Sequence, residues 1–422
     1  MQITSILKKN KVKKALLVEP KFPIANKSRN HQDFLPIGLL KIAAWLKSLN
    51  IEVKLIRFDE DLIKETVDFN PDIIFVTSLF TYWSKYVKEA VEYCKNSFNV
   101  PIVVGGIYAS LMPDHCKKYT GCDYVQKGII PEVEKIRDVD TLSKGYDLVD
   151  VDYQILHTSR GCKRRCKACG VYCIEQVHHK KTIKKEIFKK RLIFYDNNIL
   201  QNRYIKNILN ELIELKKQRK ISYCESQSGF DGRILLKKPF LGKLLKEAGF
   251  KNPKIAWDGP ITHKNQIEKQ LKILTDAGYK ASEISVFVLY NFEIPYEEME
   301  EKRVEAWKWG VQITDCRFRP LDRSYEEYCF FDNYNPQKRN GQTDKDYYIH
   351  KASGWTDSKI RLFRRNIRSH NICIRLGTKF YSAAAERKRI PFEIAKKYRM
   401  AEYETAKNHI NDAWDPAVFH KA

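Results

Sequence analysis

Between His157 and Cys173 the chain reads HTSRGCKRRCKACGVYC, which sets four thiols among Arg160, Lys163, Arg164, Arg165 and Lys167. Cys162, Cys166 and Cys169 follow the spacing C-x3-C-x2-C, and Cys173 comes four residues after the last of them. Three thiolates so spaced are able to ligate three irons of a [4Fe–4S] cube, leaving the remaining iron open to chelate a substrate or cofactor. The surrounding cations favour thiolates and offset the charge of such a cluster. Two other readings compete. A zinc site takes four ligands, usually in paired C-x2-C units; no second such pair exists here, so Cys173, His178 or His179 would have to complete it. Single cysteines are ordinarily inert and buried, but three within one short charged stretch are not core-like.

A scaffold must present these thiols, and the flanking patterns describe one. From Gln154 onward, short apolar runs alternate with stretches of helical length: 154–160, 191–198, 221–229, 254–260, 284–292 and 311–318. Six βα units predict a partial (β/α)6 TIM-type barrel over 150–325, with chemistry at the carboxyl ends of its strands. The cysteine motif then lies in the loop after the first strand. Ahead of it, β-branched runs at 14–20, 51–58, 71–80 and 100–106, and a weaker one at 122–128, alternate with amphipathic stretches at 36–50 and 84–98. Near-continuous apolar strands fit a parallel sheet covered on both faces. Residues 1–145 therefore read as a doubly wound, Rossmann-like domain of flavodoxin type, binding ligands at the carboxyl edge of the sheet. The polar stretch 138–154 reads as the linker, and 330–422 as a basic, mainly helical tail.

Polar residues at the expected strand ends are the remaining site candidates. Asp196, Asn197 and Asn198 end the second barrel strand; Glu225, Gln227 and Ser228 the third; Trp257 and Asp258 the fourth; Tyr290 and Asn291 the fifth. Cys316, Arg317 and Arg319 close the sixth, where a guanidinium suits a carboxylate or phosphate. Each has a plainer role available: Asn202, for instance, is placed to cap the helix that follows it. Among the other thiols, Cys94 falls on the apolar side of a predicted helix and is expected in the core, while Cys316 and Cys329 follow the sixth strand. No second cluster spacing occurs.

The bulk composition narrows the class. Eleven cysteines scattered through 422 residues are not the framework of a small secreted domain. No apolar run reaches spanning length, and MQITSILKKNKVKK has no apolar leader, so a cytoplasmic protein without a membrane span is expected. Seventy-six Lys plus Arg against 52 Asp plus Glu, a formal charge of +24, favours anionic partners: a small phosphorylated or carboxylate substrate, or nucleic acid. In the tail, Arg361, Arg364, Arg365 and Arg368 recur at near-helical spacing, as a phosphate-binding face or as a solvated helix surface.

RGCKRRCKACG resembles the cluster motif of the radical SAM superfamily, found in the loop after the first barrel strand. The resemblance implies that Cys162, Cys166 and Cys169 bind the [4Fe–4S] cluster and that its open iron holds the amino and carboxylate groups of S-adenosylmethionine. It further implies that a one-electron reductant, such as flavodoxin or ferredoxin, drives cleavage to methionine and a 5′-deoxyadenosyl radical. Two departures stand out. Ala168 replaces the usual aromatic before the last cysteine, and the Gly-Glu pair that often ends the second strand is absent, with Asp196 as its substitute. Their places at the carboxyl ends of the barrel strands make Asn198, Gln227, Asp258 and Asn291 candidates for contact with the same cofactor, and Tyr290, Cys316 and Arg319 candidates for the reacting groups.

LPIGLLKIAAWLKS and VVGGIYASLMPD resemble the cobalamin-binding domain fused ahead of many such enzymes. By that likeness Thr77, Ser78 and Leu79 of TSLF, with Gly105 and Gly106, line the corrin and its nucleotide tail. The D-x-H-x-x-G element that supplies a lower cobalt ligand is missing, and His31 does not stand in its context. Two states stay open: corrin held without a protein imidazole, or a fold that has lost the corrin. With corrin, methylation of an unactivated carbon is the leading reaction; without it, a rearrangement, cyclisation or epimerisation, including one on RNA. The alternative from another class is a zinc module that grips nucleic acid with the basic tail.

Overall fold

A computed structural model describes residues 3–23, 34–57, 60–64, 66–324 and 348–377. The segments fall into two compact units, one made of 1–197, 202–222 and 319–348, the other of 198–201, 223–318 and 349–422. Cys329, His31 and the stretch from Ala383 onward lie outside the described residues.

In the first unit, β1 (Lys14–Glu19), β2 (Glu52–Arg57), β3 (Ile73–Ser78), β4 (Ile102–Gly106) and β5 (Tyr124–Val125) form a sheet in the order β2-β1-β3-β4-β5. All its neighbours are parallel, with Leu17 of β1 opposite both Leu55 and Phe75. Alternate side chains serve two separate cores. Leu16, Val18, Ile74, Val76 and Val104 pack with Val87, Val91 and Cys94 of helix Ser84–Ser97. Ala15, Leu17, Ile73, Phe75 and Val103 pack with Leu39, Ala43 and Leu46 of helix Ile37–Ser48. Both faces of every central strand need apolar residues, which is why these runs are continuous. Cys94 is in that core, and burial pushes its thiol up to about 12.

The stretch expected to be a linker instead contains a packed helix, Val139–Tyr146. Asp138 caps it by accepting from the Thr141 amide at 2.7 Å. Gly145 lies so close to helix Ile37–Ser48 that a Cβ there would stand 2.2 Å from the Leu40 carbonyl oxygen. Tyr146 anchors the next strand by accepting from the Ile155 amide at 2.7 Å. Val139, Leu142 and Tyr146 carry the helical spacing, hidden among Asp, Ser and Gly.

The second βα series follows the expected order. β6 (Tyr153–Leu156) and, after an antiparallel ribbon of β7 (Ser159–Arg160) and β8 (His178–His179), β9 (Arg191–Phe194) belong to the first unit. β6 and β9 pair in parallel, Leu156 opposite Phe194. β10 (Tyr223–Ser226), β11 (Lys254–Ala256), β12 (Ser285–Tyr290) and β13 (Gln312–Arg317) belong to the second unit. There β11, β12 and β13 form a parallel sheet with β13 at its edge. The fold is thus α/β throughout: a five-stranded parallel sheet, a sixfold βα series and a helical C-terminal part. Helix Asp357–Leu376 lies against β13, burying Ile360, Phe363, Ile367 and Cys373. Its Asn371 amide donates to the Ile313 carbonyl at 2.7 Å and accepts from the Ile313 amide at 2.8 Å, completing the edge strand as a neighbouring strand would. Among the described residues no helix is long and apolar enough to cross a membrane.

Candidate functional site

Cys162, Cys166 and Cys169 lie in one loop of the first unit, between β7 and β8, and none is in a disulfide. Gly161 turns the chain into the loop with φ +68°; a Cβ there would meet the Gln176 carbonyl oxygen at 2.6 Å, so only glycine fits. The Arg164 amide donates to Cys162 Sγ at 3.4 Å, and the Cys169 amide closes a turn on the Cys166 carbonyl at 3.0 Å. Cys166 is exposed and the other two are half-buried. Among the described residues no three His, Cys, Asp or Glu side chains converge as ligands of one metal ion do.

The limbs of this loop are tied to the segment after β9. The Asp196 carboxylate is fully buried and accepts from the Thr158 amide at 2.9 Å, the Thr158 hydroxyl at 2.6 Å, the Ser159 amide at 2.6 Å and the Ser159 hydroxyl at 2.8 Å. Burial pushes its pKa up while these donors pull it down. These donors make Asp196 a brace for the base of the loop. Glu175 pairs with Arg160 at 2.7 Å and accepts from Asn197 at 2.6 Å. Asn202 does more than cap: its Oδ1 accepts from the Tyr204 amide at 2.9 Å, while Nδ2 donates to the carbonyls of Thr158 at 2.8 Å and Lys180 at 3.1 Å. Glu175 carries no local signal that would single it out. At the end of β6, His157 is buried with Nδ1 unpartnered, and burial together with Lys41, Arg160 and Lys180 keeps the ring neutral.

The expected residues at the ends of β3 and β4 sit together. Ser78 is a pin: its hydroxyl donates to the Gly105 carbonyl at 2.7 Å and accepts from the Ala109 amide at 3.1 Å. Gly106 has φ +102°, and a Cβ there would stand 2.1 Å from the Ser78 carbonyl oxygen. Leu79 packs on the core beneath. Thr77 is half-buried beside Gly105, its register partner. Beyond them, the Thr81 and Ser84 hydroxyls are buried without a partner, beside the aromatic run Phe80, Tyr82 and Trp83. Phe80 is 37% exposed, and the Arg319 guanidinium stacks on Tyr82 at 4.7 Å. Orphaned hydroxyls and an exposed ring at a glycine-bordered sheet edge fit a large ligand with an apolar face and polar substituents.

This edge and the thiol loop are neighbours within the first unit. Helix Ile107–Leu111, which follows Gly106, contacts helix Val171–Ile174, which follows the third cysteine. A Cβ on Gly170 would meet Leu321 at 2.8 Å and Leu111 at 3.1 Å, and one on Gly128 would meet the Ile174 carbonyl oxygen at 2.9 Å.

In the second unit the remaining candidates divide. Asn198 donates to Asp231 at 3.1 Å, and both Asn198 Oδ1 and Gln227 Oε1 are buried without a partner. Asp258 and Cys316 open onto the face of the β11-β12-β13 sheet that also carries Leu289, directly opposite Cys316. Burial pushes Asp258 upward and Cys316 up to about 12. Tyr290 points the other way, into an aromatic group with Trp355 at 5.8 Å and Phe363 at 5.2 Å, and is 2% exposed; its role is packing. Asn291 takes φ +58°, donates to the Phe318 carbonyl at 3.2 Å and accepts from the His350 amide at 2.9 Å, so its side chain ties residues 318 and 350 to the end of β12. Arg361 pairs with Asp357 at 2.7 Å and Arg364 approaches Asp315 at 3.9 Å, so the expected phosphate-binding face is partly neutralised by the fold.

Residues 28–132 match the model of the B12 binding domain. No curated protein is significantly similar in sequence. The chain is similar in structure to a radical S-adenosylmethionine methyltransferase, TsrM, from Kitasatospora setae, with cobalamin and a [4Fe-4S] cluster bound. The TM-score is 0.54 at 15% identity, over 73% of this chain and 76% of that one. A second structure of that enzyme, with tryptophan substrate and a SAM analogue bound, gives a TM-score of 0.52 at 15% identity, over 73% of each chain. The fold is therefore shared with that enzyme: a five-stranded parallel α/β sheet followed in sequence by a βα series.

Proposed function

We propose that the protein is a cobalamin-binding radical SAM enzyme and, more finely, a methyltransferase acting on an unactivated carbon of a small or anionic substrate. The observation that carries this reading is the C-x3-C-x2-C loop seated against the carboxyl edge of a B12-type sheet within one compact unit. When bound, the cluster supplies the electron that cleaves S-adenosylmethionine, and the corrin supplies a transferable methyl group.

The chain's own residues then have distinct tasks. Cys162, Cys166 and Cys169 hold the cluster on a loop whose base is fixed by hydrogen bonds. Thr77, Gly105 and Gly106 border the corrin, with the Thr81 and Ser84 hydroxyls available to polar substituents. Asn198 and Gln227, each with an unmet buried oxygen, accept hydrogen bonds from S-adenosylmethionine. Asp258 and Cys316 face the substrate. Lys163, Arg165 and Lys167, all exposed, draw anions to the loop. A one-electron donor of the flavodoxin or ferredoxin kind reduces the cluster.

The test is metal analysis and an absorption spectrum of protein purified without oxygen after incubation with iron, sulfide and cobalamin. About four irons per chain with a broad band near 400 nm are expected, both lost in the Cys162→Ala, Cys166→Ala, Cys169→Ala variant. Retained corrin supports methyl transfer; a cluster without corrin points to hydrogen abstraction alone. Tightly held zinc with no iron would overturn the reading and favour the nucleic-acid module.

A further inference from the structure

We infer that Asp196, Asn202 and Glu175 are positioning residues that pre-form the thiol triad before any metal arrives; the inference rests on the cluster reading above. The loop leaves the sheet at Thr158–Arg160 and returns at Glu175–Lys180, so its two limbs must be held together for the three thiolates to keep one arrangement. The β7–β8 ribbon that joins them pairs only Ser159 with His179 and Arg160 with His178, and a two-residue ribbon is marginal by itself. The segment 196–202 supplies the missing constraint.

Asp196 gathers two amides and two hydroxyls from the departing limb onto one buried carboxylate. Asn202 reaches across, donating to the Thr158 carbonyl on the departing limb and the Lys180 carbonyl on the returning one. The Lys180 amide closes the same bridge on Thr158 at 2.9 Å. Glu175 joins the limbs a second time, through Arg160, and is itself held by Asn197. A buried carboxylate is costly unless fully hydrogen-bonded, and here the donors all come from residues just ahead of Cys162. That concentration of polar bonding is hard to account for by packing alone, since apolar residues would fill the same volume. It gives rigidity where three ligands need fixed separations.

The test compares iron retention in reconstituted native protein with Asp196→Asn and with the pair Thr158→Val and Thr158→Ser. Asp196→Asn keeps the volume but places an amide donor against donors; Thr158→Val removes one hydroxyl, which Thr158→Ser restores. Expected are at least tenfold faster loss of cluster iron to a chelator in Asp196→Asn, a severalfold faster loss in Thr158→Val, and near-native retention in Thr158→Ser. The reduced cluster of Asp196→Asn should also give more than one EPR species, a signature that loss of stability alone would not produce. Native-like retention and one native EPR species in both Asp196→Asn and Thr158→Val would overturn the clamp while leaving the cluster reading intact. Failure of the native chain to take up any iron would overturn both.

Discussion

The loop 160–167 and the helix Asp357–Leu376 are both dense in Lys and Arg, yet the structure places that charge in different surroundings. On the helix, cations are met by nearby groups: Arg361 by Asp357, Arg364 by Asp315, Lys359 by Glu297 at 2.8 Å, Arg375 by Gln312 at 3.4 Å. Its opposite side is core, with Phe363 and His370 fully buried, and Asn371 stands in for a strand beside β13. In the loop, Arg160 is spent on Glu175, while Lys163, Arg165 and Lys167 stay exposed around the thiols. A basic composition thus accompanies a packing helix in one place and an exposed thiol loop in the other.

The largest expected effect is on the helix and depends on pH. Burial holds the His370 pKa down to about 4 while its Nε2 lies 2.7 Å from the Val311 carbonyl oxygen. Below about pH 6.5 the unfolded chain takes up a proton that the folded one refuses, so stability falls as pH drops from 6.5 towards 4. The full loss across that window is about 3 kcal/mol. Urea unfolding followed by tryptophan fluorescence should show it, and His370→Gln should flatten that part of the profile. An unchanged slope in the variant would mean that His370 is not held neutral. Next, Asn371→Ala should cost about 1–3 kcal/mol, because the Ile313 amide and carbonyl lose their partner. A cost below about 0.5 kcal/mol would show that water completes the strand equally well. Smallest in stability is the combined Lys163→Gln, Arg165→Gln, Lys167→Gln change, expected within about 0.5 kcal/mol. It should nevertheless elute earlier from heparin, and by more than Arg361→Gln with Arg364→Gln does. The reverse order would return the phosphate-binding role to the helix.

Much of this was legible beforehand. The five strands of the first sheet are short, β-branched and apolar on both sides, a pattern that local chemistry alone imposes. The six later strands stand at their expected places, although β11 ends at Ala256, short of the expected 260. The helix Val139–Tyr146 was not legible, because three apolar residues among polar ones signal a helix only once helix Ile37–Ser48 is there to cover them. The β7–β8 ribbon was hidden for the same reason, since its two strands are two residues each.

Among candidate site residues, the placing of the three thiols in one loop could be read directly, because spacing within one loop is a local property. The side chains at strand ends could not. Leu289 and Tyr290 are adjacent and must point to opposite faces, but alternation does not say which face is open. Trp355 and Phe363, more than sixty residues onward, settle it by claiming Tyr290 for the core. Asp196 was recognisable as chemistry-bearing, but its four donors from Thr158 and Ser159 were not legible from its own neighbours in sequence. The sequence by itself determined most of the elements, the class of fold and the spacing of the thiols, all of which depend on neighbours a few residues away. Only the tertiary structure decided which polar groups are already satisfied by the chain and which are left for a ligand, because a hydrogen-bond partner is set by proximity in space.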